Sequence, residues 1–333
     1  MANIITKVNR AFDNPTSIQP WLETNRRKVA RWIGRREIGP LLGGLTAGVF
    51  DWNAYTNYLA WRGSTELVVR EINGSDMVLD PKMSGISQEL IMYGGREELS
   101  ASLYQQELER LAAESNSPVT ALEIGANIGY YALLEANVLG DSGRILAFEP
   151  DPRNIEILSK SIDRNGYGDL IDVDRVAVGD SDGSVTFNLL PLSNKSHVDE
   201  ESFTRKHDIE RQVTVPQKTI STVLDEKGIE PDAINVVRMD VEGYEAQVFR
   251  GMSDVLESDQ PLVLFFELHS SRLDDEAMER IFRTLEDANM EIVAVTDLEG
   301  PMWYEVQLPW DSFDELREID DTHSVHLILR RTG

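Results

Sequence analysis

Between Val119 and Leu329, short apolar runs recur at intervals filled by segments of helical spacing. The runs Val119–Ile124, Arg144–Phe148, Ile171–Val178, Ile234–Met239, Leu262–Phe266, Glu291–Val295 and Ser324–Leu329 read as strands. Tyr130–Val138, Asn154–Asn165, the stretch from Tyr244 and Asp274–Asn289 read as helices. Strands this apolar are buried on both faces, so the alternation specifies an α/β fold with a mostly parallel sheet covered by helices. Upstream, Thr65–Leu79 reads as a hairpin turned at Asn73-Gly74, and Ile86–Ala113 as mainly helical. Internal repeats and low-complexity linkers are absent. The expected organisation is an N-terminal extension over residues 1–64 and one domain over 65–333.

Ligands of open α/β sheets bind beyond the carboxyl ends of the strands, so the strand ends are where function is sought. The first core strand runs into Glu123-Ile-Gly125-Ala-Asn127-Ile-Gly129. Glycines there let the backbone turn sharply and approach a ligand at the next helix N-terminus. The loop lacks the third glycine of the dinucleotide pattern G-x-G-x-x-G, and an acid stands just ahead of its first glycine. An acid suits a ligand carrying an ammonium group better than an anionic pyrophosphate. The second strand ends in Phe148-Glu149-Pro150-Asp151-Pro152, with Glu149 placed 24 positions after Gly125. A carboxylate at that tip accepts hydrogen bonds from both ribose hydroxyls of an adenosine.

Two further strand ends carry titratable groups. Met239-Asp240-Val-Glu242-Gly-Tyr-Glu245 places Asp240 and Glu242 two apart, where they can hold a divalent ion such as Mg2+, orient a sugar hydroxyl, contact the methionine end of a cofactor or cap the next helix. Phe266-Glu267-Leu-His269 closes the most apolar strand, and Glu267 and His269 share a face if the strand alternates to its end. His269 is a candidate base, with His197 in the Ser193–His197 loop as its rival.

Charge narrows the partners. The net charge is −26, with eight lysines among 32 basic residues against 58 acidic ones. So acidic a chain repels nucleic acid and anionic membranes over most of its surface. The few lysines point to a surface adapted to concentrated salt, as in halophilic archaea, where screening over about 3 Å tolerates the self-repulsion. Cysteine is absent, which excludes disulfides, thiolate metal sites and cysteine nucleophiles. With neither a secretory leader nor 18 consecutive apolar residues, a cytoplasmic protein is expected. Residues 1–40 carry +5, leaving −31 on the rest. Arg26–Arg36 reads as a short basic helix, followed by an apolar, Gly-rich piece from Leu41 to Trp52. This segment reads either as a peripheral membrane foot at the inner face or as a helix docked on the acidic body or on a second subunit.

Taken in order, these elements resemble the FkbM family of methyltransferases. The resemblance rests on Glu123-Ile-Gly-Ala-Asn-Ile-Gly-Tyr-Tyr131, Ala147-Phe-Glu-Pro-Asp-Pro152, Ala177-Val-Gly-Asp180, Val215-Pro216, Met239-Asp-Val-Glu-Gly-Tyr-Glu245 and Phe266-Glu-Leu-His269. Ile86-Ser-Gln-Glu-Leu90 and Tyr93-Gly-Gly-Arg-Glu97 look like the family's approach segment, and the likeness spans about residues 65–300. It implies a Rossmann-like class I methyltransferase fold whose seven-stranded sheet has an antiparallel last strand. It also implies S-adenosylmethionine as cofactor and O-methylation, often of sugars. By position Glu123, Gly125, Asn127 and Gly129 would meet the methionine portion, Glu149 the ribose and Ala177 the adenine. Asp240 and Glu242 would face the reaction centre, with His269 or Asp240 drawing the proton from a sugar hydroxyl. The competing readings are a non-catalytic methyltransferase-like subunit of a membrane-associated glycan-assembly complex and an NAD-dependent sugar dehydrogenase.

Overall fold

Asn73 and Gly74 both take positive φ (50° and 78°), as a tight primed turn requires, and they join β1 (Val68–Ile72) to β2 (Ser75–Leu79) antiparallel. The computed structural model describes residues 66–83, 85–115, 117–190, 195–199, 209–297, 305–319 and 324–332. The basic helix expected at Arg26–Arg36 and the apolar piece Leu41–Trp52 lie outside the described residues. The helical stretch expected over Ile86–Ala113 is two helices, α1 (Ile86–Tyr93) and α2 (Glu98–Glu114). Gly94 ends the first in the left-handed conformation (φ 80°) that a C-terminal helix cap favours.

The alternation then follows as β3 (Val119–Ile124), α3 (Tyr130–Leu139), β4 (Gly143–Phe148), α4 (Pro152–Asn165) and β5 (Ile171–Asp174). Helix α4 starts where the Asp151 carboxylate accepts from the Arg153 N–H (2.9 Å) with proline in the first turn. The single strand expected over Ile171–Val178 is broken after Asp174. Ala177–Val178 (β6) instead joins a separate four-stranded sheet with β7 (Gly183–Leu189), β8 (His197–Val198) and β9 (Arg211–Lys218), in the order β6-β9-β7-β8.

The remaining elements are α5 (Ile220–Lys227), β10 (Ile234–Met239), α6 (Glu245–Gly251), α7 (Ser253–Glu257), β11 (Leu262–His269), α8 (Asp275–Asp287), β12 (Glu291–Asp297), β13 (Val306–Leu308), α9 (Phe313–Arg317) and β14 (Ser324–Arg331). The main sheet has the order β13-β12-β14-β11-β10-β3-β4-β5. Five strands from β11 to β5 are parallel, and β14 is antiparallel to both its neighbours. Seven of these eight strands reproduce the expected Rossmann-like sheet with its antiparallel last strand, and β13 is an added edge. Among the described residues no helix is long and apolar enough to cross a membrane.

Strand alternation divides the core in two. Leu122, Ile124, Val237, Met239, Leu264 and Phe266 face α5 to α8. Ala121, Val236, Val263 and Phe265 face α2, α3 and α4. Glu123 and Arg238 share the second face, opposite one another in the β3–β10 register. Both are buried, with Arg238 Nη1 donating to Glu123 Oε1 at 3.0 Å and its guanidinium 4.3 Å from the Tyr131 ring centre. Glu135 of α3 joins this group, accepting from the Tyr104 hydroxyl at 2.5 Å and facing Glu123. Two buried carboxylates beside one guanidinium leave one acid without a cation, so they share a proton. Burial pushes both above the ordinary carboxylate range.

That proton gives stability a pH dependence. In the folded chain Glu135 keeps it above the range where the unfolded chain sheds it, so stability falls as pH rises from the ordinary carboxylate range toward neutrality. Glu135→Gln keeps the shape and removes the titration. In urea unfolding at about pH 5 and about pH 8, the variant should lose less stability between the two than the parent, by on the order of 1–2 kcal/mol. Equal losses would contradict the shared proton.

Candidate active site

The connections diverge between β3 and β10, so their carboxyl ends open a crevice at the topological switch point. Backbone bonds stitch its floor. The N–H groups of Gly125 and Ala126 both donate to the Phe148 carbonyl (2.9 and 3.0 Å), and the Asp240 N–H donates to the Ile124 carbonyl (3.0 Å). Gly125 has φ 81°, and a Cβ there would lie 2.1 Å from the Asp240 carbonyl oxygen. Gly129 (φ 92°) precedes α3 and packs on α4, where a Cβ would lie 2.4 Å from Leu158 Cδ1. At Gly125 the backbone oxygen cannot give way to a side chain, whereas at Gly129 the left-handed φ is what favours glycine.

Above this floor lies a cleft of about 580 Å³, open mouth included. Gly125 and Asn127 line one side and Phe148 and Glu149 the next, with Val176, Ala177 and Val178 beyond. Phe187 and Val198 reach in from the four-stranded sheet, while Asp240 and Glu242 close the far end. Glu149 is held rigidly: Oε2 accepts from the Asn127 N–H (2.7 Å) and Oε1 from the Asp151 N–H (2.8 Å). Burial pushes its pKa up to about 7 in spite of these bonds.

At the far end the tips of β10 and β11 bring acids around one histidine. His269 Nδ1 and Glu245 Oε1 are 2.7 Å apart, while Nε2 lies 3.4 Å from Glu267 Oε1 and 3.7 Å from Glu242 Oε2. Burial alone would push the imidazole pKa down, but Glu267, Glu245 and Glu242 outweigh it and hold it up to about 10. The three surrounding acids therefore favour the imidazolium over the free base at the position that the sequence names as a candidate base. Asp240 is different. Its Oδ2 lies 3.3 Å from Arg238 Nη2, while Oδ1 is shielded from solvent and has no partner. Burial, then the neighbouring Glu267, pushes its pKa up. Glu242 takes a left-handed backbone (φ 54°) and pairs with Arg272 Nη2 at 2.6 Å. One ligand atom each from Asp240, Glu242 and His269 lie within 4.8 Å of one another, so this trio is a candidate metal group.

Of the residues expected from the sequence, Gly125, Asn127, Glu149, Ala177, Asp240 and Glu242 all line the cleft. His269 stands behind Asp240 and Glu242, and Gly129 shapes the start of α3. Glu123 is not in the cleft: its strand parity turns it to the opposite core, against Arg238. His197 sits on β8 with Nδ1 2.7 Å from the Lys195 carbonyl oxygen, and burial lowers its pKa. The expectation missed Phe187 and Val198, whose short strands carry mixed exposure and little apolar signal. It also missed Arg238, although a charge within the apolar run Val236-Val237-Arg238-Met239 marks a buried partner.

Residues 123–319 match the model of the methyltransferase FkbM domain. Over 156 residues the chain is 32% identical to a hexuronic acid methyltransferase of Haloferax volcanii, covering 46% of this chain. It spans 59% of the length of that curated relative. Among solved structures, a methyltransferase FkbM from Methylobacillus flagellatus is 14% identical with a TM-score of 0.39, covering 72% of this chain and 52% of the other. An O-methyltransferase from Bacillus cereus in complex with SAH is 12% identical with a TM-score of 0.41, covering 72% and 82%.

Gly125→Ala tests the floor of the cleft. The added methyl meets a backbone oxygen and the φ suits only glycine, so the variant should lose about 1–3 kcal/mol in chemical denaturation. A variant as stable as the parent would show that the loop is free to move away from Asp240.

Proposed function

This chain belongs to the FkbM methyltransferase family, and we propose that it transfers a methyl group from S-adenosylmethionine to a sugar hydroxyl. The observation that carries the reading is the cleft, which sets a fixed carboxylate for a ribose at one end and a cluster of acids at the other. A hexuronic acid is the first acceptor to try, because the Haloferax relative is a hexuronic acid methyltransferase. Neither a dehydrogenase nor a non-catalytic subunit gains support from the comparisons.

The residues present fit a nucleoside ligand. Gly125 leaves a cradle that any Cβ would fill, and both oxygens of Glu149 are already oriented by backbone N–H groups, leaving lone pairs for ribose hydroxyls. Val176, Ala177, Val178 and Phe187 offer an apolar wall for a base. The donor, when bound, supplies an already activated methyl group whose transfer leaves the bonding electron pair on sulfur. What remains for this chain is alignment, exclusion of water and removal of one proton. The acids at the far end favour positive charge, and Asp240 Oδ1 is the buried oxygen free to accept the hydroxyl proton. Arg238 holds the other oxygen of that carboxylate and fixes the direction of Oδ1.

Two variants separate binding from transfer. Glu149→Gln should weaken S-adenosylhomocysteine binding about 10- to 100-fold in calorimetric titration, the worth of hydrogen bonds to a charged group. With its pKa at about 7, Glu149 must lose a proton to receive the ribose. Parent affinity should therefore fall by up to about tenfold per pH unit on acidification below that value and level off above it. Glu149→Gln should flatten this profile, and a variant that binds S-adenosylhomocysteine as tightly as the parent would remove Glu149 from the cofactor seat. Asp240→Asn should bind S-adenosylhomocysteine like the parent and lose about 10²–10⁴ of methyl transfer to a hexuronate-bearing glycan. Undiminished transfer would remove Asp240 from the role.

A further inference from the structure

Four carboxylates converge on His269, and their arrangement does more than hold a proton. Asp240 and Glu242 stand two apart at the end of β10, and Glu267 and His269 two apart at the end of β11, so parallel pairing brings both pairs to one edge. One ligand atom each from Asp240, Glu242 and His269 falls within 4.8 Å of the others. Three ligands bound at about 2.0–2.2 Å around one ion stand roughly 3–3.6 Å apart, so from separations of up to 4.8 Å the side chains must draw together by at most about 1–2 Å. Glu267 Oε1 lies 3.4 Å from the same His269 Nε2.

The surroundings point to a ligand. Asp240 Oδ1 is shielded from solvent with no hydrogen-bond partner, and so is an oxygen of the fully buried Glu245. Glu245 Oε1 holds His269 Nδ1 at 2.7 Å, which leaves Nε2 turned to the acids. A carboxylate behind the imidazole is how proteins set the tautomer and orientation of a metal-ligating histidine. On the far side His326, also buried, turns an Nε2 that makes no hydrogen bond toward Glu267 Oε2 at 3.6 Å. Arg272 on Glu242 and Arg238, which is shared with Glu123, face these acids, with Lys195, Arg96 and the imidazoles of His269 and His326 adding positive charge.

We propose that Asp240, Glu242 and His269 Nε2 bind one divalent first-row transition ion, with Glu245 as positioning residue behind the histidine. One imidazole with carboxylates suits Mn2+, Fe2+ or Zn2+, whereas Mg2+ and Ca2+ take all-oxygen sets. Binding displaces the Nε2 proton, and with Arg238 on Asp240 Oδ2 the oxygen left for the ion is Oδ1, which in the loaded site would hold the ion in place of a proton. The ion's existence does not rest on the methyl-transfer reading; its role does, since at the end of the cleft it would bind the acceptor oxygen and make that hydroxyl more acidic.

The test uses the full chain, stripped with a chelator and titrated with MnCl2 in concentrated KCl, with free Mn2+ read by electron paramagnetic resonance. Concentrated salt suppresses weak binding to surface acids. One Mn2+ per chain is expected, competed by Zn2+. Glu245→Gln should weaken it about 10- to 100-fold, the usual effect of removing the carboxylate behind a ligating histidine. Asp240→Asn and His269→Gln should each weaken it at least about tenfold, with an unchanged far-UV circular dichroism spectrum and a cooperative urea transition as the folding control for each variant. No bound ion in a chain that binds S-adenosylhomocysteine, or an affinity unchanged in both ligand variants, overturns the proposal. Site-dependent Mn2+ binding without S-adenosylhomocysteine binding would leave the metal site standing and sink the cofactor reading.

Discussion

The contact on which the site depends is the approach of Gly125 to the Asp240 carbonyl, so close that no side chain fits between them. It exists because β3 and β10 pair in parallel at the place where the sheet reverses its order. The Asp240 N–H on Ile124 and the Gly125 N–H on Phe148 extend the same contact to three strand ends. With the backbone fixed in this way, Asn127, Glu149 and Asp240 have little freedom in where they present their polar atoms. Rigid placement of this kind is what methyl transfer needs, since alignment supplies most of its acceleration.

Charge is arranged around that frame with similar economy. Arg238 lies in an otherwise apolar half of the core, yet it links the Glu123–Glu135 pair to Asp240 at the cleft. A buried cation can persist there because it has carboxylate partners and an aromatic face at 4.3 Å. The second concentration of charge, around His269, sits at the cleft end with partly unsatisfied acids. Both groups hold buried polar atoms without partners, Glu123 Oε2, Glu135 Oε2 and Arg238 Nε in the first, but only the second includes residues that line the cleft, Asp240 and Glu242. Arg238 and Asp240, two positions apart with Met239 between them, mark the step from one group to the other.

The core of the fold was readable because its signals are local. Strands β3, β10 and β11 are apolar runs with distinctive ends, and α4 is bracketed by Asp151-Pro152 and Gly166. Of the six cleft residues named in advance, all but Ala177, which opens β6, follow the ends of main-sheet strands. What escaped depends on partners distant in sequence. Glu123 reads as a ligand residue beside its glycine, and only the pairing with Arg238, 115 positions away, turns it into a core ion pair. His269 reads as a lone candidate base, and its neighbours Glu242 and Glu245 come from a segment 24 or more positions earlier in the chain. The four-stranded sheet was hidden because β7 and β9 are half exposed, with too little apolar periodicity to stand out from loop.

The most direct measurement is a crystal structure of the chain with S-adenosylhomocysteine. The account predicts ribose hydroxyls on the Glu149 carboxylate, adenine between Val176–Val178 and Phe187, and the sulfur turned toward Asp240. A nucleoside lodged elsewhere, or lying in this cleft with Glu149 unengaged and Asp240 remote from the sulfur, would contradict it.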